Sequence, residues 1–204
     1  GLTSVAGDWG VATFTAGSGE VRFTGTSTVT LSTTFHDLTI QLGASLDTGG
    51  NAIGVTGTFS NPGTLYRSAG DFVARPDATQ GLVEYRGAGP ITIQTYSGDD
   101  YFDLGVNASS VAQDVYFQGD VQINDDLIFD SGTLHGEGLR IRLAGDWQKS
   151  TTDTSFQSGT GGDRGVVEFF DAGTVSTYSG RTIFSDLEIT TPGKQMRFTP
   201  SAGT

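Results

Sequence analysis

One three-part phrase is written three times along this chain of 204 residues, and it restricts the fold more than any other feature. Gly7-Asp8-Trp9, Gly70-Asp71-Phe72 and Gly145-Asp146-Trp147 each open a unit. A Gly-x-Val-x-aromatic segment follows: Gly19 to Phe23, Gly81 to Tyr85 and Gly165 to Phe169. An aromatic-x-Asp-Leu-x-aliphatic segment comes next: Phe35 to Ile40, Tyr101 to Val106 and Phe184 to Ile189. The openings lie 63 and 75 residues apart (70 − 7 and 145 − 70), so the spacers stretch while the phrases stay fixed. Fixed signatures joined by elastic spacers are the mark of a repeat architecture.

Short alternating apolar segments lie between the phrases, among them Val29 to Leu31, Ile91 to Ile93, Val115 to Phe117, Val121 to Ile123, Leu127 to Phe129 and Leu139 to Leu143. Gly, Asn, Asp and Ser punctuate them, and no helical period intervenes, which reads as all-β. Sandwiches and barrels do not need internal copies of a multi-strand phrase. One propeller blade is too small for a unit of this size. A parallel β-helix with three or four coils of about 20 residues per unit fits, giving about ten coils in a rod near 50 Å. The expectation is a single β-solenoid domain over 1–204, with units starting near 7, 70 and 145.

The ends carry the same register. Gly1-Leu2 through Trp9 echoes Gly138-Leu139 through Trp147, and Thr204 falls before the third unit is complete. The first and last units are therefore expected to continue beyond the chain ends. Bare solenoid ends invite pairing, so the expected partners are a longer array or further copies stacked end to end.

A formal charge of −12 with only two lysines, Lys149 and Lys194, argues against nucleic acid, whose binding needs clustered basic residues. No apolar run approaches the roughly 20 residues of a membrane helix. Cysteine is absent, which removes disulfides and thiol chemistry.

These phrases resemble the repeats of large secreted bacterial surface proteins of the pectin-lyase-like β-helix type. Such repeats often read Gly-Asp-Trp, then Gly-x-Val-x-Phe, then Phe-x-Asn-Leu-x-Ile; here Asp37, Asp103 and Asp186 stand where Asn is common. The resemblance implies a right-handed parallel β-helix in an adhesin-like or surface-layer setting on the bacterial cell surface. It carries over no catalytic residue.

Candidate chemistry is sparse. Recurrence of Trp9, Phe72 and Trp147 in every unit is what an interior position requires, so they are read as core rather than as a sugar-stacking row, with the adjoining Asp capping a turn. Asp37, Asp103 and Asp186 are read as acceptors for backbone amides at turns. Two acidic clusters, Asp99, Asp100 and Asp103, and Asp125, Asp126 and Asp130, could offer oxygen ligands. The first gives the metal candidates, with calcium as the ion, and no other cofactor is expected. His36 and His135 sit in unrelated contexts and read as surface residues. No zinc helix, nucleophile elbow or P-loop is present. The function expected is therefore a non-enzymatic extracellular structural repeat protein, a stiff rod, fibre or surface-array segment with an adhesin-like role and a glycan or other cell-surface ligand. The alternative is a polysaccharide-binding or polysaccharide-cleaving β-helix.

Overall fold

The computed structural model describes residues 1–11, 14–68, 70–71, 74–149, 155–171, 173, 175–179 and 182–199. Among them every strand pairing is parallel, and there is no helix. The chain is a parallel β-solenoid of about 9 turns. Its longest sheet takes one strand from each coil in strict chain order: Thr26–Thr28, Ser45–Asp47, Thr64–Arg67, Leu82–Gly87, Asp103–Ala108, Leu127–Ser131, Trp147–Lys149, Val175–Ser179 and Gln195–Thr199. Eight steps of about 4.8 Å make a stack near 40 Å, one coil shorter than the sequence suggests.

The remaining sheets cover the other sides. One holds Leu2–Val5, Glu20–Phe23, Asp37–Ile40 and Phe59–Ser60; a pair joins Thr33–Phe35 to Ile53–Val55. Farther along, Ile91–Ile93, Asp114–Phe117, Thr133–His135 and Ser155–Gln157 form a second four-stranded sheet. Val121–Ile123, Arg140–Leu143, Val166–Phe169 and Asp186–Ile189 form a third. The register explains the elastic spacing: Leu127 to Trp147 is 20 residues, but Trp147 to Tyr178 is 31.

Parallel pairing places like positions above one another, so alternation in each strand becomes columns along the rod. One interior column runs Ser27, Leu46, Leu65, Val83, Leu104, Leu127, Trp147, Tyr178 and Phe198. Its members are buried as far as Tyr178, while Phe198 is 60% exposed. Each fully buried Leu, Val or Phe contributes about 1.5–3 kcal/mol over its exposed state.

The repeat is visible in the packing as well as the sequence. Trp9, Phe14 and Phe35 meet with ring centres 5.0, 5.8 and 5.4 Å apart. Trp147, Phe156 and Phe184 repeat this at 5.1, 5.9 and 5.3 Å. The middle unit departs from the pattern. Tyr85 stands where Phe23 and Phe169 stand, and Tyr101 where Phe35 and Phe184 stand. Their hydroxyls share a hydrogen bond of 2.9 Å. Arg67, in the column below Tyr85, is fully buried with them and donates to Gln94 at 2.8 Å.

The phrase glycines also have a spatial reason. A side chain at Gly19 would meet the Gly1 carbonyl oxygen at 2.9 Å, and one at Gly81 or Gly165 would collide with the carbonyl of Asn61 or Gly136. In each unit the backbone of the preceding coil lies where a Cβ would go.

Candidate functional site

Trp9 and Trp147 are interior, at 6% and 0% exposure, as their recurrence requires. Phe72 lies outside the described residues. The aspartates of the same phrase do more than cap a local turn. Asp8 accepts the Thr28 amide at 2.9 Å and Asp146 the Thr177 amide at 2.6 Å, each on the following coil. Only Asp71 fits the local reading, accepting the Ser68 amide at 2.6 Å; it also takes the Thr48 hydroxyl.

Inter-coil acceptance recurs in the second set of aspartates. Asp37 accepts the Thr58 amide at 2.7 Å and Asp103 the Asp126 amide at 3.1 Å. Asp126 in turn accepts the Asp146 amide at 2.7 Å. Asp186 differs: its carboxylate pairs with the Arg164 guanidinium at 2.5 Å. A carboxylate one coil below an amide joins coils without a further strand residue.

The calcium candidates Asp99, Asp100 and Asp103 are close in sequence but engaged separately. Asp100 is fully buried, and its two oxygens accept the Tyr96 and Gln122 amides. Asp99 accepts side-chain amides of Gln122 at 2.6 Å and Asn124 at 3.3 Å. Asp103 accepts the Asp126 amide and lies near Asp125 and Asp126; burial, then those two charges, push its carboxyl up to about 6. Burial raises Asp125 and Asp126 too, with neighbouring carboxylates adding to it. The Lys194 ammonium reaches this second cluster from the last coils, donating to the Ala144 carbonyl and lying near Asp125, Asp146 and Asp171. Among the described residues no group of three or more His, Cys, Asp or Glu is arranged to hold a metal ion.

A polar constellation forms elsewhere, around a histidine expected to be a plain surface residue. On the outside of the second four-stranded sheet, Thr92, Tyr116, His135 and Gln157 stack in one column. The rings of Tyr116 and His135 lie 4.4 Å apart at a tilt of 17°. His135 is clamped at both nitrogens, Nε2 to Asp114 at 2.8 Å and Nδ1 to Glu137 at 3.1 Å. Both ring nitrogens donate in this arrangement only when the imidazole carries two protons. The clamp bridges coils, since Asp114 and His135 are 21 residues apart.

Beside this column opens a groove of about 880 Å³. Its apolar floor is Phe156 and Phe184, two members of the third unit's aromatic triad, extended by the exposed Ile183. Its polar wall includes Glu137, Gln157, Thr160 and Asp163. None of these polar residues belongs to a repeated phrase, so sequence periodicity gives no signal for them. The paired acids two residues either side of Tyr116 and His135, Asp114 and Glu137, are the one local hint.

Comparison with protein-family models, with curated proteins and with solved structures found no match to the chain.

Proposed function

We propose that this chain is a non-enzymatic structural segment, a stiff rod within an extracellular bacterial surface protein of the pectin-lyase-like β-helix, adhesin-like type. The observation that carries this reading is the use of the repeated residues. Trp9, Trp147, Gly19, Gly81, Gly165, Asp8 and Asp146 are each taken up by interior packing, close coil approach or coil-to-coil hydrogen bonds. The most regular part of the sequence therefore serves stiffness. The outside of the third four-stranded sheet adds to it: Arg140 pairs with Glu168 at 2.9 Å and Glu188 at 2.7 Å, tying three coils together.

The interior columns also suit extension. Leu187, Ile189 and Phe198 continue them on the last described strands and are exposed. A further coil, of the same polypeptide or of a second copy, would bury them by strand addition. The test is surface protease treatment and antibody labelling of intact producing cells. Accessibility from outside is expected. Protein protected until the cells are lysed would overturn the surface role, and turnover of a polysaccharide by the purified chain would overturn the non-enzymatic one.

A further inference from the structure

We infer that the groove beside the Tyr116–His135 stack binds a neutral pyranose chain. The inference names a ligand for the adhesin-like role above, and it rests on residues that the scaffold does not use. The repeat needs Phe156 and Phe184, because their counterparts Phe14 and Phe35 pack the same way in the first unit. It has no need of Gln157, Thr160 or Asp163, which are exposed, lie between the repeated phrases and converge on the groove.

The chemistry of the wall selects the ligand class. Glu137 and Asp163 are acceptors, Thr160 both donates and accepts, and the Gln157 amide does the same. Such a set matches hydroxyl groups, each of which donates once and accepts once. The floor of Phe156, Phe184 and Ile183 offers apolar surface for the C–H face of a sugar ring. No Lys or Arg lines the groove among the described residues. An anionic ligand such as a uronate chain would bring its carboxylates against Glu137 and Asp163, while the His135 ring is already held by Asp114 and Glu137, which selects against it. At about 880 Å³ the groove has room for several ring-sized groups rather than one ion.

The experiment is a glycan microarray carrying neutral and anionic chains, followed by calorimetric titration of the full chain with the best neutral oligosaccharide and with hexagalacturonate. Binding is expected for a neutral chain and not for hexagalacturonate. The variants Gln157→Ala and Asp163→Asn change exposed side chains, so their melting temperatures should match the parent. Each is expected to weaken neutral-glycan binding by at least about tenfold. Lack of any neutral binder, preference for the anionic chains, or undiminished binding in both variants would overturn the inference. Surface exposure on cells is measured separately, so the rod reading and the glycan reading fail by different results.

Discussion

The Arg67 guanidinium lies 4.8 Å from the ring centre of Tyr85, and both side chains are buried inside the solenoid. The other two units place Phe at the Tyr85 and Tyr101 positions and carry no interior arginine there. The middle unit has thus exchanged an apolar cluster for a polar one in a concerted way. Burial raises the phenols of Tyr85 and Tyr101, so both stay neutral and able to donate, and the Tyr101 hydroxyl does donate to the Gln94 carbonyl at 2.6 Å. Arg67 also lies 3.5 Å from Asp71.

Removing one member of such a cluster strands the others. Arg67→Ala is expected to cost about 3–5 kcal/mol, the range for breaking a buried ion pair. The combined change Arg67→Met, Tyr85→Phe, Tyr101→Phe brings in the apolar side chains of the other units and should recover the part of that loss due to the stranded phenols, while Asp71 stays buried without its cation. Urea denaturation of the two variants checks this. A triple variant no more stable than Arg67→Ala would mean the polar cluster is not a substitute for an aromatic one.

Trp147 gives a simpler expectation. It is fully enclosed, stands in the longest interior column and touches Phe156 and Phe184. Trp147→Ala should cost about 3–5 kcal/mol, and Trp147→Phe clearly less, because the ring remains. The readout is the denaturation midpoint. An alanine variant as stable as the parent would contradict the interior placement.

Two positive-φ glycines can be separated by cause. Gly81 and Gly138 both have positive φ, at 78° and 71°. A Cβ at Gly138 meets open space, whereas one at Gly81 strikes the Asn61 carbonyl of the preceding coil. Gly138→Ala should therefore cost only the left-handed penalty of about 1–2 kcal/mol. Gly81→Ala should cost more, since coils must move apart. Equal losses would show that coil spacing is slack at Asn61.

Chelation is expected to leave the melting temperature unchanged. Both oxygens of Asp100 accept backbone amides, Asp99 is held by Gln122 and Asn124, and the Lys194 ammonium lies in the second acidic cluster. A melting temperature that drops with chelator and returns with calcium would mean that these carboxylates gather an ion instead.

Much of the scaffold was legible in the sequence because inward positions fall at alternate residues of each short strand and are mostly apolar. Ile91–Ile93 and Val121–Ile123 form strands over the expected residues, and the aspartate phrase segments open strands at Asp37, Asp103 and Asp186. Val29 to Leu31 was a weaker case: Val29 makes only an isolated bridge to Trp9. What stayed hidden depends on which residue stands one coil away. Asp114 comes within reach of His135 because that coil takes 19 residues and sets Tyr116 opposite His135, yet the coil from Trp147 takes 31. Coil length comes from loops, whose composition does not encode it. The Arg67 cluster did leave a sign, an arginine at an inward position of Thr64–Arg67 beside two Phe-to-Tyr changes between units.

Asp37 and Asp103 occupy the same place in the phrase but titrate in opposite directions. The Thr58 amide, the largest influence on Asp37, holds its carboxyl below the usual range. Asp103 is instead pushed up to about 6 by burial and by Asp125 and Asp126. An unfolded Asp titrates near 3.9. The folded chain therefore binds a proton at Asp103 more tightly than the unfolded chain does. Its stability contribution is present below about pH 4 and is lost as pH rises through about 6. Asp37 runs the other way: its contribution is present above about pH 4 and is lost as pH falls through its lowered folded value. Stability should accordingly rise from pH 7.5 to pH 5 and fall again in stronger acid. Asp103→Asn keeps an oxygen that can accept the Asp126 amide but removes the charge. It should raise the urea midpoint at pH 7.5 and flatten the change between pH 7.5 and 5, while Asp37→Asn leaves that interval unaltered. If Asp103→Asn lowers the midpoint at pH 7.5, the carboxylate is favourably placed as an anion and the proposed crowding with Asp125 and Asp126 is wrong.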